Sequence, residues 1–245
     1  IWKWDSRVDC WRCDAIYYQQ VKQELSQFPD FLDDVMKPVS VNWQKVDLPK
    51  LRSEQTEALD GWVRSGCRGQ VIMPTGTGKT EVALAAMAQT KTATLVVAPV
   101  RDLMYQWHRR ILKSLGYDAG IVGDNTFNIK AVTVTTYDSA YIHMSKMGAG
   151  FGLLIFDEEH HLPGRYHREA AILSTAPMRM GLTATPERSD GLHKDLDFLI
   201  GPVAYEMPFK QAKGSTLANF DIVRIPIALN DKEQHIYDKC SKEIR

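Results

Sequence analysis

The segment Met73-Pro74-Thr75-Gly76-Thr77-Gly78-Lys79-Thr80 has the residue types and order of a phosphate cradle. It lies between an apolar stretch, Gln70-Val71-Ile72-Met73, and an alanine-rich stretch with helical spacing, Glu81 to Gln89. A strand, a glycine-rich turn and a helix start bring backbone N–H groups and the positive end of the helix dipole to one point, where an anion binds. Lys79 can reach the β- and γ-phosphates of a nucleoside triphosphate, and the Thr80 hydroxyl can ligate Mg²⁺. The general pattern G-x-x-x-x-G-K-[ST] has Met73 at its first glycine position. Here Pro74 stiffens the start of the turn, while Gly76 and Gly78 supply unusual backbone angles and close approach, with Thr75 and Thr77 completing the cradle. The plainer alternative is a glycine turn with no ligand, but Lys-Thr at the helix start gives such a turn no folding advantage.

A second group makes the first more specific. Phe151-Gly152-Leu153-Leu154-Ile155-Phe156 is an apolar run suited to a buried parallel strand, and it ends in Asp157-Glu158-Glu159-His160. Carboxylates at the C-terminal end of such a strand face the crevice where open α/β sheets bind ligands. Asp157 would hold Mg²⁺, often through water. Glu158 would orient and deprotonate the attacking water, which makes the chemistry hydrolysis rather than transfer to a second substrate. Taken alone, the same residues could form an acidic turn at a strand end.

The chain has 245 residues, 44% of them hydrophobic, enough for one large α/β domain and an additional piece. Thirty Lys and Arg balance thirty Asp and Glu, so any nucleic-acid surface must be a local patch. No apolar stretch approaches membrane-spanning length and no signal peptide is evident. The first residue is Ile1 rather than Met, which suits a fragment with both ends as possible cuts. Cys10 and Cys13 form a C-x-x-C pair, with Cys67 and Cys240 isolated. Surface thiols, half of a metal site and a redox pair all fit this spacing, and plain structural thiols fit it best. Disulfide scaffolding does not suit so large and cysteine-poor a chain.

The elements that must position these residues follow from periodicity. Residues 1–49 stand apart. Asp14 to Gln27 has helical spacing with Asp14 as N-cap, and Trp2, Trp4, Trp11 and Trp43 read as the packed core of a small domain end, with base stacking as the sharper alternative. Leu51-Arg52-Ser53-Glu54-Gln55 opens a helix to about Arg64. The spacing of Gln55 from the glycine turn could return it to the nucleotide, where an amide can pair with the N6/N7 edge of adenine; otherwise it is a surface glutamine. Strands are expected at Ala93–Ala98, Gly120–Val122, Ala131–Thr135, Arg179–Pro186 (with a polar end) and Ile222–Leu229, with helices from Asp102 to Leu115 and from the Thr135–Ser139 turn to about Lys146. The alternation predicts an α/β fold: a parallel sheet with helices on both faces.

Five polar motifs then stand at strand ends in a fixed order: Pro74–Thr80, Ala98-Pro99-Val100-Arg101, Thr135-Thr136-Tyr137-Asp138-Ser139-Ala140, Asp157-Glu158-Glu159-His160 and Leu182-Thr183-Ala184-Thr185-Pro186. The set resembles the first RecA-like P-loop NTPase domain of superfamily 2 helicases, with a D-E-x-H acidic box. Thr136–Ala140, Asp157-Glu158-Glu159-His160-His161-Leu162-Pro163 and Gly181-Leu182-Thr183-Ala184-Thr185-Pro186-Glu187-Arg188 are most similar to the xeroderma pigmentosum group B (XPB) branch, including its archaeal members. Trp4-Asp5-Ser6-Arg7 and the following helix are similar to the tail of that branch's damage-recognition-like domain.

The resemblance implies a small-domain end over 1–49, an ATP-binding RecA-like domain over 50–228, and from 229 to 245 the helical start of a linker to a missing second RecA-like domain. It implies ATP and Mg²⁺ as cofactors. Arg52 and Gln55 would be an adenine-sensing element. His160, Thr183 and Thr185 would couple nucleotide state to domain movement. Arg101, Thr135, Thr136, Tyr137 and Ser139 would face DNA phosphates, and Arg188 would belong to an Arg-Glu-Asp element implicated in DNA opening. This chain has Arg188-Ser189-Asp190 there, which puts strand separation through that element in question.

The expected function is the ATP-binding half of an ATP-dependent DNA helicase or translocase in repair or transcription. The partners implied are DNA, the second RecA-like domain and a nuclease or transcription factor, with no membrane, in a prokaryotic cytoplasm or a eukaryotic nucleus. Without the arginine fingers of the second domain, turnover should be poor, since such a finger contributes about 10³–10⁵ in rate. The alternatives are a nucleotide-switched DNA-binding or docking module, and another D-E-x-H motor such as an RNA helicase or restriction-type translocase.

Overall fold

The computed structural model describes residues 1–185, 191–207 and 229–243. The expected strand at Ile222–Leu229 and the Arg188-Ser189-Asp190 element therefore lie outside the described residues.

The chain begins with an antiparallel hairpin of β1 (Lys3–Asp5) and β2 (Cys10–Arg12), a 3-10 turn over Ala15–Tyr17, and α1 (Tyr18–Leu25). From there it alternates: α2 (Ser53–Arg64), β3 (Arg68–Ile72), α3 (Lys79–Thr90), β4 (Thr94–Ala98), α4 (Arg101–Leu115), β5 (Gly120–Gly123), β6 (Thr126–Asn128), β7 (Val132–Thr136), α5 (Tyr137–Met147), β8 (Leu153–Asp157), α6 (Glu169–Ile172), β9 (Met178–Thr183), α7 (Leu196–Leu199), β10 (Val203–Glu206) and α8 (Asp231–Glu243). Among the described residues the main sheet has eight strands in the order β10-β3-β9-β8-β4-β7-β5-β6. Every pairing is parallel except β5 with β6.

A parallel sheet has to be covered on both faces, and the strand sequences reflect that. Val71, Val96, Val134, Ile155 and Leu182 form one core with Trp62, Leu84 and Ile111 of α2, α3 and α4. Leu95, Val97, Leu154 and Phe156, their neighbours in the strands, form the other core with Ala140, Met144, Ala170 and Leu196 of α5, α6 and α7. With both faces filled, the C-terminal strand ends are where polar side chains can gather. β9 lies between β3 and β8, so the glycine turn, Thr183 and the acidic box open side by side.

Three expectations are corrected. Trp2, Trp4 and Trp11 are 43%, 50% and 61% exposed, so they are not a packed core. A two-stranded hairpin with one short helix has no second layer to cover them, and Trp4 and Trp11 meet only edge to face at 5.3 Å. Trp43 does pack against the main core, with its ring 6.1 Å from that of Tyr117. The single helix expected from Asp14 is a 3-10 turn followed by α1, and the Asp14 side chain makes no capping bond. Finally, β6 and β10 were not expected. Both lie at sheet edges and β6 is exposed throughout, so neither carries the apolar pattern of a central strand.

One buried charge holds the centre. Arg179 of β9 is fully buried, and its guanidinium donates to the carbonyls of Ala176 at 3.3 Å, Leu199 at 2.6 Å and Ser174 at 2.9 Å. Burial pushes its pKa down to about 9, so it remains charged at neutral pH. Its own carbonyl accepts from the Trp62 indole at 2.8 Å, tying α2 to the same strand. Arg179→Met keeps much of the volume but leaves those carbonyls without their donor, so stability should fall by about 3 kcal/mol. The urea midpoint at unchanged m-value checks this.

Candidate functional site

The glycine turn is held from behind. The Met73 N–H donates to Thr183 O at 2.9 Å, which extends the β3–β9 ladder by one residue. Thr77 is fully buried, and its hydroxyl donates to Pro74 O at 2.6 Å, closing the turn on itself. The Thr77 carbonyl accepts from Gln55 Nε2 at 2.9 Å and from the Arg52 guanidinium. Gln55 Oε1 in turn accepts from the Arg52 N–H at 2.9 Å. Gly76 and Gly78 adopt left-handed φ values of 82° and 81°. At Gly78 a Cβ would also collide with the Gln55 amide, so both the backbone angle and the packing require glycine there. Gly78 then serves as N-cap of α3, whose first residues are Lys79 and Thr80.

Lys79 Nζ donates to Met73 O at 3.0 Å. Burial pushes its pKa below the usual lysine value, while the carboxylates of Glu158 and Asp157 pull it part of the way back. Lys79 and Thr80 line a cavity of about 330 Å³ together with Thr75, Gly76, Gly78, Asp157 and Glu158. Its far wall is α4, through Leu103, Gln106, Trp107 and Arg110.

Asp157 ends β8 on the cavity side. Its Oδ2 accepts from the Trp107 indole at 2.8 Å, and its backbone carbonyl accepts from the Tyr137 hydroxyl at 3.0 Å. Burial raises its pKa, and the indole bond and the Lys79 charge oppose that rise. Glu158 has φ 49° and ψ 57°, a left-handed conformation that is costly for a residue with a side chain. The His160 ring is 3.4 Å from Glu158 Oε2 and 3.2 Å from the Thr183 hydroxyl, with Nδ1 facing both. Thr183 Oγ1 donates to Thr185 O at 3.1 Å and accepts from the Thr185 N–H at 3.2 Å. One polar chain thus runs from the acidic box to the end of β9.

Of the expected nucleotide residues, Thr75, Gly76, Gly78, Lys79, Thr80, Asp157 and Glu158 meet at one cavity, Pro74 and Thr77 lie behind it as the closure of the turn, and His160, Thr183 and Thr185 connect to Glu158. Arg52 and Gln55 approach from the other side, and the Gln55 amide is spent on the turn rather than held open for a base.

The expected DNA residues divide in two. Thr135 is buried with its hydroxyl on Val122 O at 2.7 Å, and Tyr137 is buried with its hydroxyl on Asp157 O. Their hydroxyls are committed to backbone carbonyls of the chain itself. Arg101, Thr136 and Ser139 lie nearer the surface. Arg101 pairs with Asp124 at 3.0 Å, and Thr136 caps α5 by accepting from the Ser139 N–H at 3.3 Å. Cys10 and Cys13 are free thiols, and no metal-binding cluster of His, Cys, Asp or Glu occurs among the described residues.

Sequence reasoning missed Trp107, Arg110 and Glu159. Trp107 and Arg110 follow Leu103 at helical spacing on one face of α4, and that spacing was the available signal. Arg110 pairs with Glu81 in the first turn of α3, bracing the two helices that flank the cavity. Glu159 reads in the sequence as one more acid in the box. In the fold it is fully buried against Gly181, where a Cβ would collide with its carboxyl, and neither carboxyl oxygen has a hydrogen-bond partner among the described residues.

A parallel sheet with a P-loop, an acidic strand end and a Thr-Ala-Thr strand end around one cavity defines a RecA-like P-loop domain of superfamily 2. A family profile described as "Type III restriction enzyme, res subunit" matches residues 48–188, and the chain belongs to that family. The XPB-like resemblance is borne out by curated relatives. The chain is 37% identical over 248 residues to the DNA 3'-5' translocase XPB2 of Sulfurisphaera tokodaii, covering 99% of this chain and 55% of that protein. It is 29% identical over 225 residues to the general transcription and DNA repair factor IIH helicase/translocase subunit XPB of Antonospora locustae, covering 82% of this chain and 32% of that protein. The chain thus spans about half the length, or less, of these relatives. The UvsW helicase of bacteriophage T4 shares the fold, with a TM-score of 0.52 at 15% identity over 78% of each chain. Among the described residues no helix is long and apolar enough to cross a membrane.

The buried Glu159 gives a pH dependence. Burial, then the neighbouring Glu158 and Asp197, push its pKa well above the usual 4.5, so the folded chain keeps a proton that the unfolded chain releases. Stability attributable to this group is full below about 4.5 and is lost as pH rises toward the folded value. Glu159→Gln should flatten that part of the decline, measured as the urea midpoint at a series of pH values from 5 to 8.

Proposed function

We propose that this chain is the ATP-binding half of an ATP-dependent DNA helicase or translocase of the XPB-like branch, acting in DNA repair or transcription. The observation that carries the reading is the convergence of Lys79, Thr80, Asp157 and Glu158 on one cavity of about 330 Å³ in front of a glycine turn. The names of the two relatives, a DNA translocase and a helicase/translocase subunit of a transcription and repair factor, support DNA as the partner and those processes as the setting. The working compartment would be the cytoplasm in a prokaryote and the nucleus in a eukaryote.

The residues fit a nucleotide with its metal. The turn is held from behind because Gly78 lacks a Cβ and lets the Gln55 amide in, which leaves the cavity side of the cradle open, and there the half-buried Lys79 ammonium lines the cavity with the carboxylates of Asp157 and Glu158. Thr80 and Asp157 would hold Mg²⁺, which when bound supplies charge neutralisation of the β- and γ-phosphates. Lys79 draws the phosphate oxygens into the turn and stabilises the charge that builds on them. Glu158 takes the proton from the attacking water as its oxygen bonds to the γ-phosphorus and the bond to ADP breaks. Arg52 and Gln55 act on the nucleotide through the Thr77 carbonyl they hold. His160, Thr183 and Thr185 carry a change at Glu158 to the end of β9. Arg101, Thr136 and Ser139 contact DNA phosphates, positioning the strand without reading its sequence.

In domain terms, residues 1–49 end a small damage-recognition-like domain, residues 50–228 form the ATP-binding domain, and 229–245 lead to a second RecA-like domain that supplies arginine fingers. Such fingers contribute about 10³–10⁵ in rate, or roughly 4–7 kcal/mol, so this half alone should turn over poorly. A nuclease or a transcription factor is the protein partner this reading would place on the assembled enzyme.

Glu158→Gln should abolish DNA-stimulated ATP hydrolysis while ATP binding persists, measured by phosphate release and by nucleotide titration. Full turnover in that variant would sink the hydrolytic reading and leave a nucleotide-switched docking module. Adding the second domain in trans or in cis should raise DNA-stimulated turnover by at least a hundredfold, by order of magnitude, over this half alone. Equal stimulation by RNA would point instead to an RNA motor.

A further inference from the structure

Trp107 belongs to none of the motifs at the strand ends, yet its indole reaches the centre of the site. It lies in the middle of α4, 2% exposed, and its single N–H donates to Asp157 Oδ2 at 2.8 Å. The two residues are 50 positions apart, so only the packing of α4 on β7 and β4 brings them together. A buried indole N–H needs some acceptor, and a backbone carbonyl would serve. Here the acceptor is the side chain of the carboxylate that lines the nucleotide cavity, and Trp107 lines the same cavity. The Asp157 backbone is fixed independently by the Tyr137 hydroxyl at 3.0 Å, so both ends of this residue are tied by buried aromatic donors.

We propose that Trp107 is a positioning residue for the Asp157 carboxylate: its indole N–H occupies Oδ2, sets the rotation of the carboxylate, and leaves Oδ1 as the oxygen presented to a divalent cation. This rests on the reading of Asp157 as a Mg²⁺-holding residue. A carboxylate free to rotate would offer either oxygen and lose orientation entropy each time it was recruited, whereas a donor bond on one oxygen prepays that ordering. A rigid, nearly fully buried donor is better suited to this than a flexible surface side chain. Because α4 starts at Arg101, the helix that carries the indole also carries one of the proposed phosphate contacts, so movement of α4 on DNA would be felt at the carboxylate.

The test uses the full-length protein and a fluorescent ADP analogue, titrated with and without Mg²⁺, and reads the ratio of the two affinities. In Trp107→Phe, which keeps an aromatic ring and removes the N–H, that ratio should fall by about tenfold to a hundredfold, the usual effect of removing an outer-shell partner of a metal carboxylate. Benzothienylalanine placed at position 107, which preserves the bicyclic shape and lacks the donor, should reproduce the fall and covers the case in which the phenylalanine variant does not fold. An unchanged ratio in either folded variant overturns the proposal while the reading of Asp157 stands. A wild-type protein whose affinity does not respond to Mg²⁺, or an Asp157→Asn variant that keeps the full response, overturns both.

Discussion

The Thr77 carbonyl is the point on which the nucleotide site depends. Two groups of the α2 start, the Gln55 amide and the Arg52 guanidinium, converge on it, and the Thr77 hydroxyl folds the turn back on Pro74. Gln55 can come this close only because Gly78 has no side chain. Since the same glycine is the N-cap of α3, the contact fixes both the direction in which α3 leaves the turn and the depth of the cradle in front of it. Lys79 and Thr80 are consequences of that placement. They are the first two residues of a helix whose start is determined from behind, by a buried network that leaves the cavity side open.

The sheet imposes a second condition. With both faces covered by helices, charge can be accommodated at strand ends or must be neutralised inside. Arg179 shows the interior solution, a guanidinium lashed to three carbonyls and still charged at neutral pH despite a pKa lowered to about 9. Glu159 shows the other, a carboxyl kept protonated by burial. Asp157 and Lys79 stand between these extremes. Each is pushed toward neutrality by burial and held back by the other's charge, which suits the proposed binding of a polyphosphate and a cation.

The candidate DNA face is connected to this site by position more than by contact. Arg101 begins α4 and Thr136 caps α5, and each helix sends a buried aromatic donor back to Asp157, Trp107 from one and Tyr137 from the other. The surface groups themselves are weakly held. The Arg101–Asp124 pair is solvent-exposed, and such pairs contribute about 0–1 kcal/mol, so a phosphate could replace Asp124 at little expense. The rigid part of the arrangement is thus inside, and the part that would exchange partners is outside.

The cradle, the acidic box and the alternation that makes a parallel sheet are legible in the chain's residue order, because each is written in consecutive residues or in a local period. Lys79 follows Gly78 whatever the rest of the chain does, and a run such as Thr94–Ala98 has no stable place other than a covered strand. Short edge strands such as β6 escaped notice because exposed residues at a sheet edge follow no apolar period. The tertiary structure alone decided which side chains complete the site. Gln55 spends its amide on a carbonyl 22 positions away, Trp107 holds a carboxylate 50 positions away, and Tyr137, which a motif would turn toward DNA, turns inward to the backbone of Asp157. The strand order that puts β9 between β3 and β8 makes neighbours of residues that no local pattern relates, and whether a hydroxyl or amide serves a ligand or the chain itself is settled only by what that packing brings within hydrogen-bond reach.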